Sequence, residues 1–410
     1  MTGVIRPYAW GSRTAIADLQ GRPASDGPEA ELWLGAHPGD PSTVPGPDGP
    51  VDLVQLIGAD PAGQLGDDVV ATFGARLPYL LKVLAADAPL SLQAHPDAEY
   101  AKVAFARQEA DPAAPKNYTD AYHKPEMLVA LTPFEALCGF RDPAVAAAVI
   151  GEFGVARLEP VVTALRGGDL AEAVRLLLAW PAGDRAALID EVVAAARAIP
   201  AGHRHTDSFT LATGLAAHYP GDPGVLVALL LNLVRLAPGE AIWMPAGNLH
   251  AYLKGLGVEL MAASDNVLRG GLTPKRVDVD ELLRVLRFEV LEDPLLHATE
   301  LEPGVETWSV PVGDFVLYRI QLDGTRPPVE VPAHGPRIVL CTEGTVFAGQ
   351  SEDGTPVELN PGTAAYVPAS AGAIKVAGTG RGNHRDVPAV DLGRHPCRPA
   401  PAGQRDGDDD

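Results

Sequence analysis

Cysteine is scarce in this chain: three residues in 410, Cys138, Cys341 and Cys397, too few and too scattered for a disulfide framework. No two are spaced as Cys-x-x-Cys, so a thiolate zinc ribbon is excluded and reduced thiols are expected. Long apolar runs are also missing. The longest, Val225-Leu-Val-Ala-Leu-Leu-Leu231, is followed closely by Asn232 and Arg235 and is too short to span a bilayer. The N-terminal residues contain no apolar run of the signal-peptide type, so a cytoplasmic location is expected. Positive charge is in deficit: 32 Lys and Arg against 53 Asp and Glu give a net charge of −21. Nucleic acid and membrane surfaces, both anionic, are poor partners for such a chain. Any anionic substrate needs a locally positive pocket.

Apolar content is that of a globular protein, and the length calls for two or three domains. Forty-three Gly and 39 Pro favour turns and short strands. Residues 1–142 read as short strands, among them Glu31 to Gly35, Tyr79 to Leu84, Leu90 to Ala94 and Glu126 to Ala130, with one exposed helix from Ala98 to Glu109. The texture changes at Pro143. From there to about Pro220 the chain is rich in Ala and Leu with helical spacing: Ala144 to Glu152, Leu170 to Ala179 and Arg185 to Ala198. A further helix is expected over Val225 to Leu236. The reading is therefore a mainly β chain with an α-helical insertion at 143–220 between two β parts, 1–142 and 221–300.

Past that insertion, Gly239, Pro245, Gly247 and His250 stand in the spacing G-x5-P-x-G-x2-H, which matches the second signature of the cupin barrel. Gly239 turns the chain into a strand, Pro245 and Gly247 reverse it, and His250 is delivered inward on the next strand. The skeleton recurs as Gly362, Pro368 and Ser370, but position 373 is Ala where the His would stand. Residues 301–392 are thus expected to form a second cupin-like jelly-roll barrel without a metal, and 393–410 a disordered tail ending Asp-Gly-Asp-Asp-Asp.

Four polar residues complete the picture: Gln93 and His95 in Ser91-Leu-Gln-Ala-His-Pro96, Glu126 in His123-Lys-Pro-Glu126, and His250. Two imidazoles, one carboxylate and one carboxamide can fill a four-coordinate Zn²⁺ site, and residues two apart on a strand share a face. Two His and a carboxylate would equally suit Fe(II) with open positions. Around these residues the chain resembles type I phosphomannose isomerases. The resemblance is carried by Leu77-Pro-Tyr-Leu-Leu-Lys-Val-Leu84, Pro89 to Asp97, Asn117-Tyr-Thr-Asp-Ala-Tyr-His-Lys-Pro-Glu-Met127, Pro238 to Tyr252, and Met261-Ala-Ala-Ser-Asp-Asn-Val-Leu-Arg269 with Leu272-Thr-Pro-Lys275. Pro7-Tyr-Ala-Trp-Gly-Ser12 and Glu31-Leu-Trp-Leu-Gly-Ala-His37 also fit.

The resemblance implies a zinc-dependent aldose–ketose isomerase, interconverting mannose 6-phosphate and fructose 6-phosphate, with one Zn²⁺ on Gln93, His95, Glu126 and His250. Its partner would be a small phosphosugar, with neither nucleic acid nor membrane, and the chain would act as a monomer. Moving a proton between C2 and C1 needs a base and nearby positive charge. Lys124, Glu259 and Asp265 are the candidate proton carriers, and the sequence does not choose among them. The resemblance assigns Arg269 to catalysis. A guanidinium is no base at neutral pH, so its physical task is to hold negative charge. Ser91, His123, Tyr252 and Lys275 are candidate substrate contacts. His203-Arg-His205 has metal-like spacing but lies in the insertion without strand texture, and reads as a surface loop. Two rival readings share the scaffold: a non-catalytic sugar-binding regulator and an Fe(II) oxygenase.

Overall fold

The computed structural model describes residues 1–410 except 201, 323, 326, 333–334, 351–354, 380–385 and 392–410. The expected tail and Cys397 therefore lie outside the described residues. Two facing β-layers build the first part. One is an antiparallel ladder in the order Val4–Arg6, Glu31–Gly35, Tyr79–Ala86, His250–Ala262, Glu126–Ala130, Ala241–Met244 and Leu295–Leu296. The other joins Leu268–Arg269, Gln93–Ala94, the start of the His250 strand, Phe134–Phe140 and Leu231–Leu236. The long His250–Ala262 strand belongs to both. Residues 255–262 pair with Tyr79–Ala86, and residues 250–254 pair with the Phe134 strand around a bulge.

Strand alternation decides what lies where. Leu84, Leu128, Ala130, Ile242 and Met244 from the first layer meet Phe134, Ala136, Val234 and Tyr252 from the second in an enclosed core. The opposite faces are apolar too, so each layer must be covered. Leu81, Val83, Met127, Val129, Val258 and Leu260 pack on Trp308, Phe315, Leu317, Ile338 and Leu340 of the C-terminal part. Each such side chain contributes about 1.5–3 kcal/mol by leaving water. Leu92, Ala94, Leu137, Leu249, Ala251 and Leu268 pack on the helices between Pro143 and His218. Those helices run Pro143–Gly151, Glu159–Arg166, Leu170–Leu178, Arg185–Ala198 and Thr206–His218. Asp142 caps the first through Ala144 N and Val145 N, with Pro143 in the first turn where its missing N–H costs nothing.

The expected helix over Val225 to Leu236 is corrected. Only Gly224–Ala228 is helical, and Leu231–Leu236 is a strand paired with Phe134–Phe140. Residues 225–231 are fully buried, and a stretch apolar on every side carries no period. Polar residues, Asn232 and Arg235, return in the strand Leu231–Leu236 only where that run ends. The expected strand Leu90 to Ala94 shrinks to Gln93–Ala94, because Leu90 N donates to Tyr252 O at the bulge of the His250 strand and Leu92 N to Gly271 O in a loop, so no regular ladder forms there.

The C-terminal part is again two sheets, one including Val316–Gln321, Arg337–Leu340 and Ala364–Val367, the other Val329–Val331, Thr345–Gln350, Val357–Leu359 and Ile374–Thr379. Between them lie Val305, Ile320, Val339, Cys341, Val346, Leu359, Val367 and Val376. The reversal after Pro368 is a 3₁₀ turn, Ala369–Ala371; Ala373, at the place of His250, directly precedes the strand Ile374–Thr379, and the enclosed space is filled by aliphatic side chains.

Gly247 sits where the Pro245 turn meets the site. Its φ is +78°, its N–H donates to His95 O at 2.8 Å, and an added Cβ would lie 2.8 Å from Val285 O. Gly247→Ala is therefore expected to cost about 1–3 kcal/mol of stability in chemical denaturation, because both the backbone conformation and a fixed carbonyl oppose it. Gly58→Ala, in a helix with open space around the new methyl, should be neutral or stabilising by comparison.

Candidate metal centre

Glu126 opens its strand, His250 opens the long shared strand, and His95 follows Gln93–Ala94. All three are buried, His95 completely. His95 Nε2 and His250 Nε2 lie 3.3 and 3.2 Å from the same oxygen, Glu126 Oε2. Both rings are held from behind: His95 Nδ1 is 2.7 Å from Asn266 O, and His250 Nδ1 is 3.1 Å from Asn248 O. A backbone carbonyl only accepts, so each Nδ1 carries a proton and each Nε2 is turned inward toward Glu126. Burial pushes His95 down to about 4, so it is neutral at ordinary pH, and its Nε2 has no hydrogen-bond partner. Burial opposes the charge of Glu126, but Lys124, His95 and His250 together outweigh it and hold the carboxyl well below the usual range.

Two ring nitrogens and a carboxylate oxygen thus converge on one point. Ligands about 2.1 Å from one ion at tetrahedral angles lie about 3.4 Å apart, close to the N···O separations here. Among the described residues this is the one cluster of His, Cys, Asp and Glu compact enough for a metal ion. His203, Arg204 and His205 instead gather around the single carboxylate of Glu152, with Arg204 taking Oε1 at 2.6 Å. Gln93 pairs directly with His250 on one side and Arg269 on the other. Directly opposed residues share a face, so Gln93, His250 and Arg269 lie on one face of this layer.

Further charge lines the interior. Lys124 Nζ is 2.9 Å from the second oxygen of Glu126. Lys82 Nζ is 2.9 Å from Glu259 Oε2 and 3.7 Å from Glu31 Oε1, while Tyr252 Oη donates to Glu259 Oε1 at 2.8 Å. Burial works against the Lys82 charge, yet Glu259, Glu31 and Glu126 hold it protonated. Burial raises the Glu259 carboxyl above its ordinary value, with Glu126 and Glu31 adding to the effect. Asp265 differs: half-exposed, it accepts from His37 Nε2 at 2.9 Å and is held below the usual carboxylate range by that bond. Arg269 is half-buried with no carboxylate partner among the described residues, and burial lowers its pKa. Ser91 is half-buried ahead of Gln93, and Lys275 is exposed beyond the two glycines. His123 takes the face opposite Lys124, with its Nε2 3.0 Å from both oxygens of Asp314.

Lys82 and Glu31 escaped the reading of the sequence, although a signal was present. A Lys inside Tyr79-Leu-Leu-Lys-Val-Leu-Ala-Ala86, a strand buried at every position, demands a buried acid.

A mainly β scaffold enclosing a buried two-histidine, one-carboxylate centre defines a protein able to hold one divalent cation in a polar, partly closed pocket. The family described as "Phosphomannose isomerase type I, catalytic domain" matches residues 1–143. Mannose-6-phosphate isomerase of Escherichia coli is 35% identical over 387 residues, covering 92% of this chain and 96% of the relative. The Homo sapiens protein of that name is 33% identical over 396 residues, covering 89% and 92%. Among solved structures, a substituted phosphomannose isomerase from Salmonella typhimurium superposes with a TM-score of 0.85 at 32% identity, over 95% of this chain and 97% of that one. A mannose 6-phosphate isomerase described as holo and zinc bound gives 0.84 at 32% identity over the same shares. The chain belongs to the type I phosphomannose isomerase family.

The lowered His95 value makes metal-free stability depend on pH. Below about 6.5 the unfolded chain binds a proton at His95 that the folded chain refuses until about 4. Stability should therefore fall as pH drops from 6.5 toward 4, by up to a few kcal/mol. His95→Gln, which does not titrate, should flatten that part of the melting-temperature profile of the metal-free protein.

Proposed function

We propose that the chain is a zinc-dependent aldose–ketose isomerase interconverting mannose 6-phosphate and fructose 6-phosphate. The observation that carries this reading is the trio of buried donor atoms on His95, Glu126 and His250, in a chain matching mannose-6-phosphate isomerases almost end to end. Gln93 is the fourth donor in this reading, supported by its place beside His250. A bound Zn²⁺ would supply Lewis acidity and net positive charge, since only one of its four ligands is anionic. The pocket belongs to the catalytic cupin-like jelly-roll unit of the chain (residues 1–142 and 221–300), with a second, metal-free unit at 301–392.

The chain's own residues supply the rest. Glu259 is the proton carrier this reading favours. Burial raises its basicity, whereas Asp265 is lowered by its bond to His37 and is the weaker base. Tyr252 and Lys82 fix one oxygen each of the Glu259 carboxyl and hold its orientation. Lys124, salt-bridged to Glu126, supplies positive charge at the reacting oxygens and is the alternative carrier. Arg269 and Lys275, with Ser91, form the positive rim that draws a phosphate dianion to a protein of net charge −21.

An assay coupled to fructose 6-phosphate formation tests the whole reading: parent protein should turn over, chelator should abolish turnover, and added Zn²⁺ should restore it. Glu259→Gln should lose about 10²–10⁴ in kcat while metal content stays at one per chain. Near-normal turnover of that variant, set against a crippled Lys124→Met, would move the proton transfer to Lys124.

A further inference from the structure

The segment His123-Lys-Pro-Glu-Met127 runs extended into its strand, and its side chains alternate. Lys124 and Glu126 face the site and are joined at 2.9 Å. Met127 faces the other way, in the core shared with Phe315 and Trp308 of the C-terminal part. His123 follows the same alternation and reaches Asp314, in the loop ahead of Val316–Gln321. Pro125 restricts Lys124 to an extended backbone, so the two neighbours cannot reorient independently.

We infer that Asp314 is a positioning residue for the isomerisation, holding the Lys124–Glu126 segment in place through His123. The Asp314 side chain is only 5% exposed, and both of its oxygens lie 3.0 Å from His123 Nε2. Among the described residues that imidazole is the only hydrogen-bonding partner of its carboxylate. A buried carboxylate with a single donor fixes that donor firmly, because letting go leaves a charge without water or a partner. Asp314 is itself anchored. The next residue, Phe315, is buried against Trp243, with ring centroids 6.5 Å apart, on the strand paired with Glu126. The C-terminal part thereby clamps the outer side of the segment whose inner side carries a metal donor and a positive charge. A misplacement of about 1 Å at such groups can cost about a hundredfold in rate.

This inference rests on the function proposed above, and its test separates the two. Asp314→Ala, Asp314→Asn, His123→Ala and the Asp314→Ala/His123→Ala pair are assayed as zinc-loaded full-length protein, at a temperature where each is folded by circular dichroism. Asp314→Ala should lose about ten- to a hundredfold in kcat with KM changed less than about threefold and zinc still one per chain. Asp314→Asn, whose carbonyl still accepts from His123, should recover most of that loss. The double variant should be no slower than the slower single variant, because both act on one link. In the Co²⁺-substituted protein, Asp314→Ala should shift the visible absorption bands, since the orientation of Glu126 changes. A lowered melting temperature with unchanged kcat and unchanged Co²⁺ bands would reduce the pair to an interdomain contact and overturn the proposal. So would additive losses in the double variant, or an Asn variant no better than Ala. A parent protein without isomerase activity would instead refute the function, while the Co²⁺ bands would still report on the clamp.

Discussion

The structure depends on an arrangement that is unfavourable by itself: two imidazoles and a carboxylate, buried together, with two ring nitrogens and one oxygen turned to a common centre. Such a cluster persists only if the fold forces it and a cation neutralises it. The forcing is visible. Asn266 and Asn248 fix the rings through their carbonyls, Gly247 holds the backbone of His95, and Lys124 sets the second oxygen of Glu126. The surrounding interior repeats the motif of charge compensated by charge, with Lys82 serving Glu259 and Glu31 at once. A pocket built this way keeps several ionised groups out of water in one place, which is the environment a proton transfer through an anionic intermediate requires.

Much of this was legible in the sequence because local rules agreed with the global fold. The helix Arg185–Ala198 and the strand Glu126–Ala130 begin and end as their residues imply, since one has a continuous apolar face and good helix formers and the other is bounded by Pro125 and a turn. The spacing from Gly239 to His250 reported a turn whose backbone only glycine adopts easily, at Gly239 and again at Gly247. The stretch 225–231 was not legible. It touches core on all sides, and neither a helical nor a strand period survives there.

In the site, residues were legible where local spacing carried the chemistry, as with His250 at the end of the Gly239 to Gly247 turn. They were not legible where partners come from distant segments. Lys82 and Glu259 are 177 positions apart, and Asp314 and His123 are 191. No local pattern announces such pairs. What the sequence does offer is a charged residue in a run with no room for it, and that is a question about a partner rather than an answer. The choice between Glu259 and Asp265 is of the same kind: their sequences look alike, and only burial and neighbours separate a raised carboxyl from a lowered one.

The strand His250–Ala262 is shared by both layers, and it carries a metal donor at one end and the favoured proton carrier nine positions later. Between them lies a bulge at Tyr252–Lys254 that sets which face each half presents. A single inserted or deleted residue anywhere in that interval would turn one end outward while the other stayed in place, because side chains alternate strictly along a strand. Loops elsewhere can change length at little cost, but this interval is locked in length. Variation among functional descendants of this chain is therefore confined there to substitutions, and the distance along the backbone from donor to proton carrier behaves as a fixed ruler of the site.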